Sequence, residues 1–170
     1  MHAVELQDVG AAAWDAVVDG EEQPWGPDGA SFTWAPKTRH VGVLDDDGRP
    51  LALAGVAPAR IRAGGGEPFE VAGIGGVIVT RTRRGQGLAR LVIEAILQIA
   101  GELGPSRAML FCREPLMPLY ARFGFREIAG EVSAEQPGGR TVVPMRAMWK
   151  PLAEGVPWPE GTVEVLGEPF

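Results

Sequence analysis

The strongest constraint on this chain is the run Val77-Ile78-Val79-Thr80-Arg81-Thr82-Arg83-Arg84-Gly85-Gln86-Gly87-Leu88-Ala89. It opens on an apolar, β-branched stretch and passes through a basic glycine turn. Beyond the turn, Leu88, Leu91, Val92, Ala95, Ile96, Ile99 and Leu103 recur at spacings of three and four, which puts one apolar face on a helix that Gly104-Pro105 ends. A buried strand feeding straight into an amphipathic helix predicts an α/β domain. The turn is chemically suited to an anion. Glycines at 85 and 87 let the backbone approach closely, successive N–H groups face inward, and the positive end of the helix dipole favours negative charge. Arg81, Arg83 and Arg84 add neutralising charge, although the same residues also suit a solvated arginine turn that only opens a helix.

The flanking sequence supplies the other elements. His40–Leu44, Leu51–Ile61 and Phe69–Val79 are separated by Asp45-Asp46-Asp47-Gly48 and Gly64-Gly65-Gly66, which predicts three antiparallel strands joined by hairpins. Gly73-x-Gly75-Gly76 lies inside the third strand, so it marks a bulge or a close backbone approach, not a dinucleotide fingerprint. The aspartate run lacks the later oxygen ligands and the Glu of a calcium loop. Ala11, Ala12, Trp14, Val17 and Val18 predict a short helix stopped at Gly20. Downstream come a strand at Ala108–Cys112, a helix at Leu116–Phe123 ended by Gly124, a strand at Phe125–Ala129 and a last strand at Thr141–Trp149. Between Glu21 and Lys37 lies an aromatic loop whose Trp25 and Trp34 either cap the core or line a pocket. Residues 1–150 read as one domain, and residues 151–170, with four prolines, four glutamates and no Lys or Arg, as an extended tail.

Composition narrows the function classes. A chain of 170 residues with 45% hydrophobic content suits one domain. The net charge of −6 has the wrong sign for coating nucleic acid. One cysteine, Cys112, and two histidines leave no disulfide framework and no metal cage, which fits a reducing compartment, with the cytoplasm expected. Met1–Gly10 has neither the pattern of a signal peptide nor that of a membrane span.

The segment Arg84-x-x-Gly87-x-Ala89, preceded by Val77-x-Val79 and followed by Leu119-Tyr120-Ala121-Arg122-Phe123-Gly124-Phe125, resembles the GNAT N-acetyltransferase superfamily over residues 38–150. The resemblance implies a mixed, mostly antiparallel sheet flanked by helices on both faces. It implies acetyl-CoA as cofactor and direct acetyl transfer to a primary amine of a small molecule or peptide. In its terms Arg84, Gly85, Gln86, Gly87, Leu88 and Ala89 hold the pyrophosphate, and the backbone of Val77, Ile78 and Val79 binds the pantetheine arm. Tyr120, the only tyrosine, takes the role of the acid that protonates the leaving thiolate; the alternative is a packed helix tyrosine with its hydroxyl at the surface. Many relatives carry a carboxylate base where this chain has Gly73-Ile74-Gly75-Gly76. Glu70, His40, Glu21, Glu22 and a water relay therefore all stay open as routes for the acceptor proton. An acetyl-cysteine route through Cys112 would need an activated thiol.

The ending Glu168-Pro169-Phe170 is similar to that of the aminoglycoside 2'-N-acetyltransferase branch, whose tail folds onto the acceptor site. That likeness implies that Glu168 and Phe170, the latter through its terminal carboxylate, bind a cationic acceptor; Trp25 and Trp34 of the aromatic loop are the further candidates for the acceptor side. The acid of that branch before the last strand is displaced here to Glu135. No metal, nucleic-acid or membrane partner is expected, and homodimers are common in the family. Two other classes compete. The first is a non-catalytic acyl-CoA sensor, suggested by the missing carboxylate. The second is a nucleotide or nucleic-acid binder using the arginine turn, which would take polyphosphate without preference for the pantetheine arm and depend strongly on salt.

Overall fold

The computed structural model describes residues Met1–Phe170. A short strand β1 (Val4–Leu6) and the helix α1 (Ala11–Val18) come first. Alternating β-branched and small residues between glycine turns then form β2 (Arg39–Leu44), β3 (Pro50–Ala63) and β4 (Phe69–Val79) as an antiparallel meander. The amphipathic stretch becomes α2 (Leu88–Glu102), followed by β5 (Arg107–Cys112), the short helix α3 (Met117–Ala121) and β6 (Arg126–Glu127). The chain closes with the hairpin β7 (Val132–Gln136) and β8 (Gly139–Val142), then β9 (Arg146–Pro151) and β10 (Val163–Val165).

All ten strands join one mixed sheet in the order β6-β9-β5-β4-β3-β10-β7-β8, with β2 also paired to β3 and β1 to β2. The 14-residue β3 organises it. Along one edge it pairs with β4. The other edge is shared, with Arg39–Leu44 of β2 against its first half and Val163–Val165 of β10 against Ile61–Ala63. Strand side chains alternate between faces. Ala72 and Ile74 of β4 and Ala108, Leu110 and Cys112 of β5 therefore meet Leu88, Val92, Ile93 and Ile96 of α2, and Tyr120 of α3 joins the same cluster. Val71, Met109, Phe111 and Trp149 point to the opposite face and share a cluster with Phe170, whose ring packs on Phe111, while Trp158 packs on Trp149. On that face α1 sets Val17 against Leu53 and Ile78. Helices thus flank both faces, as expected.

Three expected elements are altered. The strand placed at Thr141–Trp149 is split into β8 and β9, because Pro144 lacks the N–H a ladder requires. The strand at Phe125–Ala129 shrinks to Arg126–Glu127. The tail beyond Lys150 enters the sheet as β10, antiparallel to β3 and parallel to β7. Main-chain bonds anchor its remainder: Gly64 N–H to Thr162 O, Leu166 N–H to Arg60 O, Glu135 N–H to Gly167 O and Ala35 N–H to Pro169 O, at 2.7–2.9 Å. No helix is long and apolar enough to cross a membrane.

Phe170 is 3% exposed and its ring lies 5.2 Å from that of Phe111. Phe170→Ala is expected to lower unfolding stability by about 3 kcal/mol in urea titrations, the usual cost of truncating a buried aromatic.

Candidate functional site

The site originates in an interruption of the sheet. Parallel strands β4 and β5 pair only through Ala72↔Ala108, Gly73↔Met109 and Ile74↔Leu110. Past Ile74, β4 stays with β3 as far as Val79↔Ala52, whereas β5 stays with β9 as far as Cys112↔Arg146. The two strands part, and a V-shaped gap opens between them. Its cause is one extra residue in β4 between the pairs Gly55↔Gly75 and Leu53↔Ile78, a β-bulge that bends and twists the strand. Gly76 sits at the bulge with φ +61°, and a Cβ there would come within 2.7 Å of the Trp14 ring. Both its conformation and its neighbour require glycine.

The bulge also sets which main-chain groups face the gap. Thr80 N–H donates to Leu51 O at 2.9 Å, toward β3. Backbone groups alternate along a strand, so those of Val77 and Val79 turn away from β3 into the gap. Val79 O accepts a hydrogen bond from Arg84 Nε at 3.1 Å.

The glycine turn lies at the mouth of the gap. Gly85 and Gly87 have φ of +78° and +81°, and no atom lies within 4 Å of where a Cβ would stand on either. Gly87 is the N-cap of α2 and offers no side-chain bond, so the first-turn N–H groups of Leu88 and Ala89 are free to meet an anion. Gln86, Arg81 and Arg83 are exposed beside them. Arg84 departs from the expected arrangement. Instead of standing free for a phosphate, its guanidinium grips both carboxylate oxygens of Glu21. That hydrogen-bonded pairing, aided by the charges of Arg84, Arg81 and Arg113, holds the Glu21 carboxyl below the usual carboxylate range. The pair ties the loop after α1 to the turn, a contact between residues 63 positions apart that no local pattern reveals.

On the α2 face, Tyr120 is 5% exposed and its ring stands edge-on to Phe125 at 6.0 Å. Its hydroxyl makes no hydrogen bond, yet no side-chain oxygen in the protein is sealed off without a partner, so the hydroxyl opens onto accessible space. Burial, followed by the neighbouring Cys112, raises its pKa and keeps the phenol protonated. Burial, followed by Glu127, pushes the Cys112 thiol up to about 11, and its Sγ rests 3.8 Å from Met148 Sδ. A thiol so held is protonated at neutral pH and is no nucleophile.

The opposite face carries the other expected residues. Trp25 is exposed and packs edge-on against Trp14, which itself lies over Gly76. Trp34 donates from Nε1 to Gly29 O at 2.9 Å and packs on Phe111. The Phe170 ring fills the space above Gly73, where a Cβ would come within 2.5 Å, and its main chain borders Gly75. Glu168 is half-buried and forms no ion pair with any Lys or Arg. Lys37, which no local motif marks, lies over Gly55 and Gly75 with its Nζ donating to Ala35 O at 3.0 Å. Burial pushes its amine down to about 8, and burial together with the Lys37 charge lowers His40 beside it. The one available signal was its rarity, since Lys37 and Lys150 are the only lysines.

Comparison with known proteins fits this geometry. The acetyltransferase (GNAT) family model matches residues 6–125. No curated protein matches the chain. Among solved structures, the GNAT family N-acetyltransferase YhbS of Escherichia coli in complex with CoA superposes with TM-score 0.63 at 23% identity, over 97% of this chain and 90% of that one. The ribosomal-protein-S18-alanine N-acetyltransferase of Escherichia coli gives 0.57 at 18%, over 92% and 98%. Escherichia coli ElaA also gives 0.57 at 18%, over 88% and 98%. At these identities the likeness is one of fold.

The depressed Lys37 amine carries a pH signature. Between about pH 8 and the ordinary lysine value of 10.5, the unfolded chain binds a proton that the native chain does not, so this group makes stability rise with pH across that window. Urea titrations of wild type and Lys37→Met at several pH values are expected to show a stability difference, wild type minus variant, that rises across this window; the raised Cys112 and Tyr120 values act in the opposite direction but are common to both chains and cancel.

Proposed function

The chain belongs to the GNAT acetyltransferase family and is an N-acetyltransferase that uses acetyl-CoA, and from that premise we propose direct transfer of the acetyl group to a primary amine of a small molecule or peptide. The observation that carries this reading is the gap between β4 and β5, with an open glycine turn at its mouth and different chemistry on its two faces. The chain's residues fit the cofactor. Gly85, Gln86, Gly87, Leu88 and Ala89 would take the pyrophosphate through main-chain N–H groups, with Arg81 and Arg83 adding charge. Arg84 would act one step removed, holding the turn to Glu21 and Val79. The main chain of Val77, Ile78 and Val79 would run beside the amide-bearing arm, which can exchange hydrogen bonds with a free strand edge.

Acetyl-CoA supplies an acyl group already activated as a thioester. Tyr120, its proton retained by burial, would donate to the leaving sulfur from the α2 face. The amine would approach from the opposite face, bordered by Trp25, Trp34, Glu168 and Phe170, so that residues 151–170 help wall the acceptor side. Gly73, Gly75 and Gly76 offer no proton acceptor, and the acceptor proton would leave through water. Direct attack is favoured over a covalent enzyme intermediate because the Cys112 thiol is buried and protonated.

Thiol release from acetyl-CoA, followed with a panel of amino acids, peptides, polyamines and aminoglycosides, tests this reading. Turnover with at least one primary amine is expected. Tyr120→Phe should lower kcat by about 100-fold with little change in the KM for acetyl-CoA. Gly87→Val, which forces a β-branched residue to φ +81°, should weaken CoA binding at least tenfold in calorimetry. CoA binding without thiol release across the panel would replace transfer by the sensor reading.

A further inference from the structure

Lys37 has no part in the scheme above, yet its placement is specific. Gly55 and Gly75 face each other across β3 and β4, and together they make a slot for its stem. A Cβ on Gly55 would meet Lys37 Cγ at 2.6 Å and Cβ at 2.8 Å; one on Gly75 would meet Cε at 2.8 Å and Nζ at 3.2 Å. A side chain on Gly55 would push against the base of the lysine and displace it. The slot delivers Nζ to the residue directly after the last β4–β5 pair, Ile74↔Leu110, where the gap begins. Tyr120 stands on the other face of the same sheet.

Burial around Nζ favours a free amine. Its hydrogen bond is to Ala35 O, and no carboxylate forms an ion pair with it. From β2 it is faced by His40, whose own pKa is lowered. Across a hollow of about 410 Å³ that Lys37 and His40 line, the charged groups are Glu5, Asp8 and Arg39, of which Glu5 and Arg39 pair with each other. Beneath it β3 and β4 present glycine, and the tail presents the terminal carboxyl group of Phe170, whose carbon would lie 2.9 Å from a Cβ on Gly75 and whose charge opposes loss of the Nζ proton. An amine held this way spends part of its time unprotonated near neutral pH, as its value of about 8 requires. Lys150, by contrast, donates to Phe123 O at 2.6 Å, in contact with Gly124 after α3.

We propose that Lys37 is a self-acetylation site, its Nζ attacking the acetyl thioester bound in the β4–β5 gap of the same chain. The proposal rests on reading that gap as the cofactor site. The Nζ lone pair forms a C–N bond to the carbonyl carbon as the C–S bond breaks. The CoA thiolate takes a proton from Tyr120, Nζ sheds its own proton to solvent, and Tyr120 is reprotonated from solvent. The products are an uncharged amide and free CoA. The amide would cancel the positive charge over Gly75 and add bulk on the face assigned to the acceptor, so the modified chain would be blocked for transfer.

The test needs no knowledge of the acceptor. The full chain is incubated with acetyl-CoA alone between about pH 7 and pH 9, with CoA binding measured in parallel by calorimetry, and labelling is read by intact mass and peptide mapping. The expected result is one acetyl group on Lys37, none on Lys150, and a rate that climbs through about pH 8. Tyr120→Phe should slow labelling at least tenfold, as loss of a general acid predicts. Lys37→Arg should bind CoA as wild type does and take up no label. CoA binding with Lys37 unlabelled would overturn the proposal and leave the cofactor reading standing. Equal labelling of Lys37 and Lys150, or equal labelling of Lys37 by acetyl phosphate, would overturn it as indiscriminate chemistry. Absence of CoA binding would remove both readings together.

Discussion

One surplus residue in β4 controls the site. If β4 matched β3 residue for residue, it could run beside β5 to its end and the sheet would close over its own backbone. The bulge at Gly76 prevents this, and Trp14 is packed so tightly against Gly76 that no side chain could replace the glycine. Main-chain groups that a regular sheet would consume are left for a ligand. The same bulge reverses the facing of β4, so Gly75 and Gly76 both look away from α2, Gly75 toward Lys37 and Phe170 and Gly76 toward Trp14, and Ile78 can join Val17 and Leu53. The gap and the seat of α1 are two results of one insertion.

Charge around the gap is distributed by how much water each group keeps. The exposed turn gathers arginines, where cations cost little to hold and can draw in an anion. Arg84 is diverted into a structural pairing with Glu21, so the open turn depends on a loop more than sixty residues away. Deeper in, Tyr120, Cys112 and Lys37 have all lost water: the phenol and the thiol keep their protons and stay neutral, while the Lys37 ammonium is made easier to deprotonate. A thioester beside Tyr120 and Cys112 would meet neutral donors in place of charged ones.

The legible parts of the sequence were those whose cause is local. The meander from Arg39 to Val79 and the helix α2 follow from periodicity and glycine turns, and the cradle follows from Gly85 and Gly87 standing between a strand and a helix. The glycines of β4 were readable as a bulge or a close approach, and both occur. The three-residue strands β1 and β10 carry too little pattern to be seen alone, since each exists by completing an edge of another strand. Thr141–Trp149 misled because its apolar content is continuous while Pro144 denies it a continuous ladder. Arg84 and Lys37 escaped for a common reason: their partners, Glu21 in one case and two facing glycines in the other, are brought together only by the folded sheet.

The shared edge of β3 bears on the order in which the molecule assembles. Its first half is met by β2 through a tight turn, a closure of few residues, whereas its second half waits for β10 and for Leu166 to reach Arg60. Closing the longer loop costs more chain entropy and is slower. During synthesis the meander, α2 and the phosphate-side turn can therefore form while the wall ending in Phe170 is still being made. Until that wall arrives, Phe111 and Trp149 stand uncovered beside an unpaired strand edge, and this is the stage at which the nascent chain is most prone to stick to its neighbours.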